Sequence, residues 1–244
     1  MTTFRPCILK CPDCKNMMYT YELTSYYVHS SVVYSDGKID CNPPRSWDKS
    51  ILICSECNKP MWRDDVLLEA ENLNISYDEL PEAKDVHDLL FTFNDDFSTK
   101  VAEYYADLLE NGFANTVKRE VYLRVELWRL LNNKERYKPT SILNDLLKGN
   151  IKEVLNRRKS KKESVTENNS SGNIYRDNLK KMISIFKPVN EEQQMLLAEM
   201  HRELGNFSKA LNLLNEIEDV ENKFAFKRIL SAIKRKQSKV IKIN

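Results

Sequence analysis

The spacing of apolar positions changes once along the chain. Before about residue 63 it follows the two-residue period of β-structure, and beyond it the three-to-four-residue period of helix. Residues 18–23 alternate and are rich in aromatic side chains; residues 26–34 are β-branched and aromatic. Ser35-Asp36-Gly37-Lys38 then predicts a hairpin turn, because Gly accepts a positive φ. Pro43-Pro44 ends the pairing, and residues 50–53 form a short apolar strand ahead of Met61-Trp62.

From Asp64 the pattern predicts helices. A short one is expected around Val66, Leu67 and Glu69-Ala70, and another over 83–93. A third covers 99–111, with Ser98 as N-cap and Gly112 as its stop. Asn115 is placed to cap a long helix to about Arg136, whose apolar face includes Val121, Val125 and Trp128. Short helical segments follow at 142–147 and 151–155. Residues 157–172 are polar and charged and read as a linker or loop. Helices resume at 174–186, at 191–204 behind the cap Asn190, at 208–217 and at 222–233.

The chain has 244 residues, 41% hydrophobic and 30% charged, which suits a globular protein with one large core or two smaller ones. No apolar run approaches the ~20 residues that span a bilayer. No basic segment followed by an apolar stretch marks the start, so neither a membrane segment nor a signal peptide is expected. Six cysteines without an export signal point to a reducing, cytoplasmic setting.

Four of those cysteines form two C-x-x-C steps, Cys11-Pro12-Asp13-Cys14 and Cys54-Ser55-Glu56-Cys57, with 39 residues between them. Each step brings two sulfurs to one side of a tight turn, and two such turns complete a tetrahedron. Cys11, Cys14, Cys54 and Cys57 are therefore the expected ligands of a structural zinc. Four thiolates leave no open coordination position for water, which argues against a Lewis-acid role. In the first turn Lys15-Asn16 stands where Gly is common, and Asn16 tolerates the left-handed backbone. Cys7 and Cys41 read as small buried hydrophobes, although Cys7 lies close enough in sequence to compete as a ligand. His29, His87 and His201 have no partners at metal spacing and read as ordinary strand or helix residues. The predicted fold class is α+β: a small N-terminal β zinc ribbon (1–63) followed by an all-α domain (64–156 and 173–244, around the 157–172 linker).

Leu204-Gly-Asn-Phe-Ser-Lys-Ala-Leu211 resembles the centre of a tetratricopeptide repeat, with Gly, a small polar residue and an aromatic at the turn and Ala-Leu packing one helix on the other. The likeness spans about 191–224. The wider layout resembles a group of uncharacterised bacterial proteins that join an N-terminal zinc ribbon to a tetratricopeptide-like helical region. The stretches that carry this are the two C-x-x-C steps, Tyr34-Ser-Asp-Gly-Lys38, Met61-Trp62 and Tyr122-Leu-Arg-Val-Glu-Leu-Trp128. The resemblance implies a fold and a metal, and no particular reaction.

Net charge is +2 but unevenly spread: +2 over residues 1–63, −8 over 64–150 and +8 over 151–244. Residues 223–244 carry eight basic side chains, which suit either an electrostatic arm or a frayed helix end. No phosphate-binding loop, zinc-protease motif or Ser/His/Asp grouping is present. The expected function is accordingly non-enzymatic: a protein–protein interaction or scaffold module. The alternative is a nucleic-acid-binding protein that uses the basic C-terminal third.

Overall fold

In the computed structural model, residues 3–42, 50–68, 77–85, 97–137, 167–218 and 224–244 are described. They pack as two compact units, one formed by Met1–Val32 with Ile39–Val101 and the other by Val33–Lys38 with Ala102–Asn244. The chain therefore leaves the second unit after six residues and re-enters it some sixty residues later, inside a helix. The helices expected at 142–147 and 151–155 lie outside the described residues.

The first unit is built from small antiparallel sheets. Strands β1 (Thr3–Lys10) and β2 (Met17–Ser25) pair with Leu9 opposite Met18 and Cys7 opposite Thr20. Those four side chains share one face, as the two-residue period requires, and all are buried. No strand was expected before residue 18, because residues 3–10 lack clean alternation. Strands β3 (Ser30–Val33) and β4 (Ile39–Asn42) form the stem of the hairpin predicted around Asp36-Gly37.

Strand β5 (Ile51–Ile53) lies between β6 (Pro60–Trp62) and β7 (Lys84–Asp85). A central strand covered on both faces explains why Ile51-Leu52-Ile53 is a continuous apolar run. The β7 pairing corrects the helix expected over 83–93. Ala83 is buried, Lys84 and Asp85 extend the sheet, and residues 86–93 lie outside the described residues. Helix α1 (Arg63–Val66) is a single turn after which Leu67 and Leu68 run back along β1.

The second unit is helical. Helix α2 (Phe97–Glu110) starts before Ser98, so Ser98 is inside it and does not cap it. Gly112 follows with φ +69. Helix α3 (Val117–Leu131) is capped by Thr116, whose hydroxyl accepts from the Arg119 N–H at 3.2 Å; Asn115, the expected cap, accepts instead from the Arg119 guanidinium. A further turn, α4 (Asn133–Arg136), continues beyond Asn132. Helix α5 (Glu167–Ile185) begins within the stretch read as a linker and packs along α3, where Asn178 donates to the Arg124 carbonyl.

Helices α6 (Glu191–Glu203) and α7 (Phe207–Asn215) pack on each other, and α8 (Phe224–Lys234) on α7. Asn190 caps α6 as expected, accepting from the Gln193 N–H at 2.9 Å. The buried side chains Ala198, Ala210, Leu214, Phe226, Ile229 and Ile233 form one core, closed at the far end by Ile243. Trp128, Leu179, Met182 and Met200 form another between α3, α5 and α6.

Gly205 turns α6 into α7 at φ +83, and the N–H groups of Gly205 and Asn206 close back on α6. A methyl group there would meet nothing within 4 Å. Gly205→Ala is therefore expected to cost only the left-handed strain, about 1–2 kcal/mol. Denaturant unfolding of the helical signal measures this, and an unchanged midpoint would contradict the turn geometry.

Candidate functional site

The two C-x-x-C turns are built alike. In the first, the Cys11 N–H donates to the Asn16 carbonyl and the Lys15 N–H to the Cys11 carbonyl, at 2.9 and 3.1 Å. In the second, the Cys54 N–H donates to the Lys59 carbonyl and the Asn58 N–H to the Cys54 carbonyl, both at 3.0 Å. The residue after the second cysteine is left-handed in each, Lys15 at φ 64 and Asn58 at φ 56. The strained position in the first turn is thus Lys15, one residue before the Asn16 that sequence favoured.

The turns face each other. The Cys11 and Cys57 sulfurs are 3.7 Å apart, those of Cys14 and Cys54 are 3.5 Å apart, and all four lie within 4.8 Å of one another. A tetrahedral ion with metal–sulfur bonds of about 2.3 Å needs sulfur–sulfur edges of about 3.8 Å, which this set approaches. Cys11 and Cys54 are buried, Cys57 is half-buried and Cys14 is exposed. The four expected ligands are therefore brought together in one cluster, within the reach of a single metal ion.

The electrostatics point the same way. Burial pushes the Cys11 thiol up, but the backbone N–H groups of Cys14 and Asp13 and the neighbouring sulfurs outweigh it and carry the thiol down to about 7. Cys54 occupies the equivalent place in the second turn. There burial prevails over the N–H groups of Cys57 and Glu56, and the thiol is pushed up to about 12. The Cys11 proton leaves easily and the Cys54 proton does not, because burial disfavours the Cys54 thiolate. A cation at the centre would offset that burial cost.

The two remaining cysteines stand apart. The Cys7 sulfur lies 3.9 Å from Arg63 Nη2 and from Glu22 Oε2, and Cys41 sits half-buried in β4. His29 is exposed and meets the Tyr27 ring edge-on. His201 is half-buried in α6, and His87 lies outside the described residues.

Sequence reasoning missed a second constellation, in the helical unit. The tip of the hairpin, residues 33–38, belongs to that unit. Asp36 is fully buried and its carboxylate accepts from Arg136 and, at 3.0 Å, from Asn132 Nδ2. Arg136 also lies over the Tyr34 ring, 4.6 Å from its centre, and Arg129 donates to the carbonyls of Asp36 and Gly37. A Cβ on Gly37 would lie 3.3 Å from Arg129 Nη2 and from Leu196 Cδ2, and the backbone there is left-handed at φ +73, so glycine suits the tip. Asn132 links onward to Glu203, which also accepts from Tyr175 and, at 2.7 Å, from Trp128 Nε1. Trp128, read as a core residue, is one and is also a donor. Arg202, likewise fully buried, pairs with Glu199. The only legible trace of this network was the Asp-Gly pair, which signalled a turn but not its destination.

Three buried carboxylates, Asp36, Glu199 and Glu203, face two buried guanidinium groups, Arg136 and Arg202. Glu203 has the looser pairing, with Arg202 Nη2 3.7 Å away, whereas Arg202 binds Glu199 closely. Burial, then the Glu199 carboxylate, holds the Glu203 acid well above the usual range, against the pull of the Tyr175 and Trp128 donors. No family model, curated protein or solved structure matches the chain.

Asp36→Ala leaves Arg136 buried without a counter-charge and is expected to destabilise the helical unit by about 3–5 kcal/mol. Asp13→Ala, which breaks the exposed pair with Lys59, is expected to change stability by no more than about 1 kcal/mol. Denaturant unfolding of both variants checks the contrast. A carboxyl raised in the folded state stabilises most below its unfolded value, about 4.3, and that contribution is lost as pH rises through the folded value. The stability of the wild type relative to Glu203→Gln should therefore fall as pH rises from about 4.3. Taking the difference cancels His201, which burial and Lys209 move the opposite way in both proteins. A pH-independent difference would show that the fold does not raise the Glu203 acid.

Proposed function

We propose that the protein is a non-enzymatic scaffold: a zinc-stapled ribbon joined to a tetratricopeptide-like helical unit that binds another protein. The observation that carries this reading is the closed set of four cysteine sulfurs, which fills a tetrahedron with protein ligands. Tetrahedral thiolate sites suit zinc or iron, and zinc is the ion that needs no redox partner and no open position. Leu9, Met18, Leu52, Met61, Val66 and Ala83 pack around the cysteines as the core of the first unit, so the ion contributes to folding directly.

The repeat-like reading of the helical part rests on α6, α7 and the Gly205 turn, with Ala198, Ala210 and Leu214 fully buried between the helices. Paired helices of this kind present side chains to a partner along one face. Val189, 81% exposed just before α6, offers such a partner an apolar contact. Six unpaired thiols fit a reducing, cytoplasmic setting. Among the described residues no helix is long and apolar enough to cross a membrane.

Elemental analysis of the purified chain is expected to give one zinc per molecule. Chelation, or Cys54→Ser, should abolish the zinc and the ordered β-structure of the first unit and leave the helical circular dichroism largely intact. A chain that holds no metal, or one coloured by iron, would overturn the zinc assignment. For the partner, a protein captured by the full chain from native cell extract is expected to bind again when both are purified, and at least about ten-fold more weakly to Val189→Asp. Failure to recover any purified complex would defeat the scaffold reading.

A further inference from the structure

We propose that the C-terminal part of the helical unit, α8 and the residues after it, is a binding face for single-stranded nucleic acid. This lies beyond the scaffold reading and does not rest on it. From Phe224 to Asn244 the chain carries seven basic side chains and no acidic one. Lys227, Arg228, Lys234, Arg235, Lys236, Lys239 and Lys242 are all exposed. The helix dipole accounts for Lys234, in the last turn of α8, and Glu135 pairs with Lys239 at 2.9 Å, but neither accounts for Arg235, Lys236 and Lys242.

These charges sit on fixed backbone. Lys236 closes α8 at φ 53, where its N–H donates to the Ile233 carbonyl and the Gln237 N–H to the Ala232 carbonyl. The buried Arg202 guanidinium, already neutralised by Glu199, donates to the carbonyls of Gln237 and Lys239. Further on, the Ile241 N–H donates to Ser35 Oγ at 3.0 Å, the Ile243 N–H to the Val33 carbonyl at 2.8 Å, and Asn244 Oδ1 accepts from the Val33 N–H at 2.6 Å. A buried arginine thus anchors from within a segment whose own side chains are exposed cations. The segment is neither a frayed helix end nor a loose arm, and little ordering entropy is lost when it meets a polyanion.

Phe224 and Arg228 share one exposed side of α8 at helical spacing, Arg235 follows just past its end, and Phe224 is 59% exposed. An accessible aromatic ring in a row of cations is the combination that stacks a base while neighbouring phosphates are neutralised. A membrane surface is the weaker match. Of the other large apolar side chains of α8, Phe226, Ile229 and Ile233 are buried in the core and Leu230 packs half-buried against it, leaving no broad apolar face to enter a bilayer.

The test is fluorescence anisotropy of the full chain with a labelled single-stranded RNA of about 20 nucleotides, between about 50 and 200 mM salt. The expected result is affinity that falls steeply with salt. The triple variant Lys234→Gln, Arg235→Gln, Lys236→Asn should lower the log–log salt slope by about 2. Asn at 236 tolerates the left-handed backbone, so the fold is kept, and circular dichroism checks it. Phe224→Ala should weaken binding at least about five-fold with the slope unchanged. The control Lys118→Gln, Arg176→Gln, Lys181→Gln removes the same charge from α3 and α5 and should leave the slope as in the wild type. Absence of binding at the lowest salt, equal losses in both triple variants, or displacement of the RNA by anionic phosphatidylserine vesicles would each overturn the proposal.

Discussion

Four sulfurs gathered within 4.8 Å are the constraint on which the first unit depends. Cys11 and Cys54 are also two of its most buried side chains, so ligand set and hydrophobic core are one object. Strands of three, four and eight or nine residues cannot enclose much apolar area by themselves, and small domains of this kind commonly rely on a metal. The matching hydrogen bonds of the two turns show how the backbone prepares for an ion: N–H groups aim at the deepest sulfurs, and one left-handed residue per turn is accepted for that aim.

The helical unit solves a different problem. Its core is large, and into it the chain also places three carboxylates and two guanidinium groups. Buried pairs of this sort add little net stability compared with apolar side chains of the same volume, but they tolerate only one arrangement. Asp36 can satisfy Arg136 and Asn132 only if the hairpin tip enters at one depth, and Gly37 turns there at φ +73 with Arg129 and Leu196 close by. The network therefore selects a unique seat for residues 33–38, while the apolar clusters on either side supply the burial.

The zinc-type spacing was legible because it needs only local geometry: each C-x-x-C step determines its own turn, and only the meeting of the two is non-local. The helix limits at Asn190 and Gly205 were legible for the same reason, since capping chemistry is local. The β-strand at 84–85 was not. Val86, Leu89 and Leu90 carry a helical period that says nothing about where Lys84 and Asp85 pair, and the pairing is decided by the unfilled edge of β5. Asn115 and Thr116 compete as caps, and the choice turns on a single N–H. The buried network left almost no trace, because Asp36, Asn132 and Glu203 are polar residues whose burial depends on partners up to 100 residues away.

The closing of the hairpin tip by residues 241–244 has a consequence for biosynthesis. Val33 and Asn244 are 211 positions apart, and the buried partners of Asp36, Asn132 and Arg136, are also made long after the tip. As the chain leaves the ribosome, the cysteine-bearing unit has all its parts once residue 101 has emerged, whereas the tip stays without its full seat until residues 241–244 have followed. Such distant pairing slows folding and leaves early-made segments waiting with unsatisfied polar groups. Removing residues 241–244 would then harm not a dangling segment but the last stitch that holds an early loop in place.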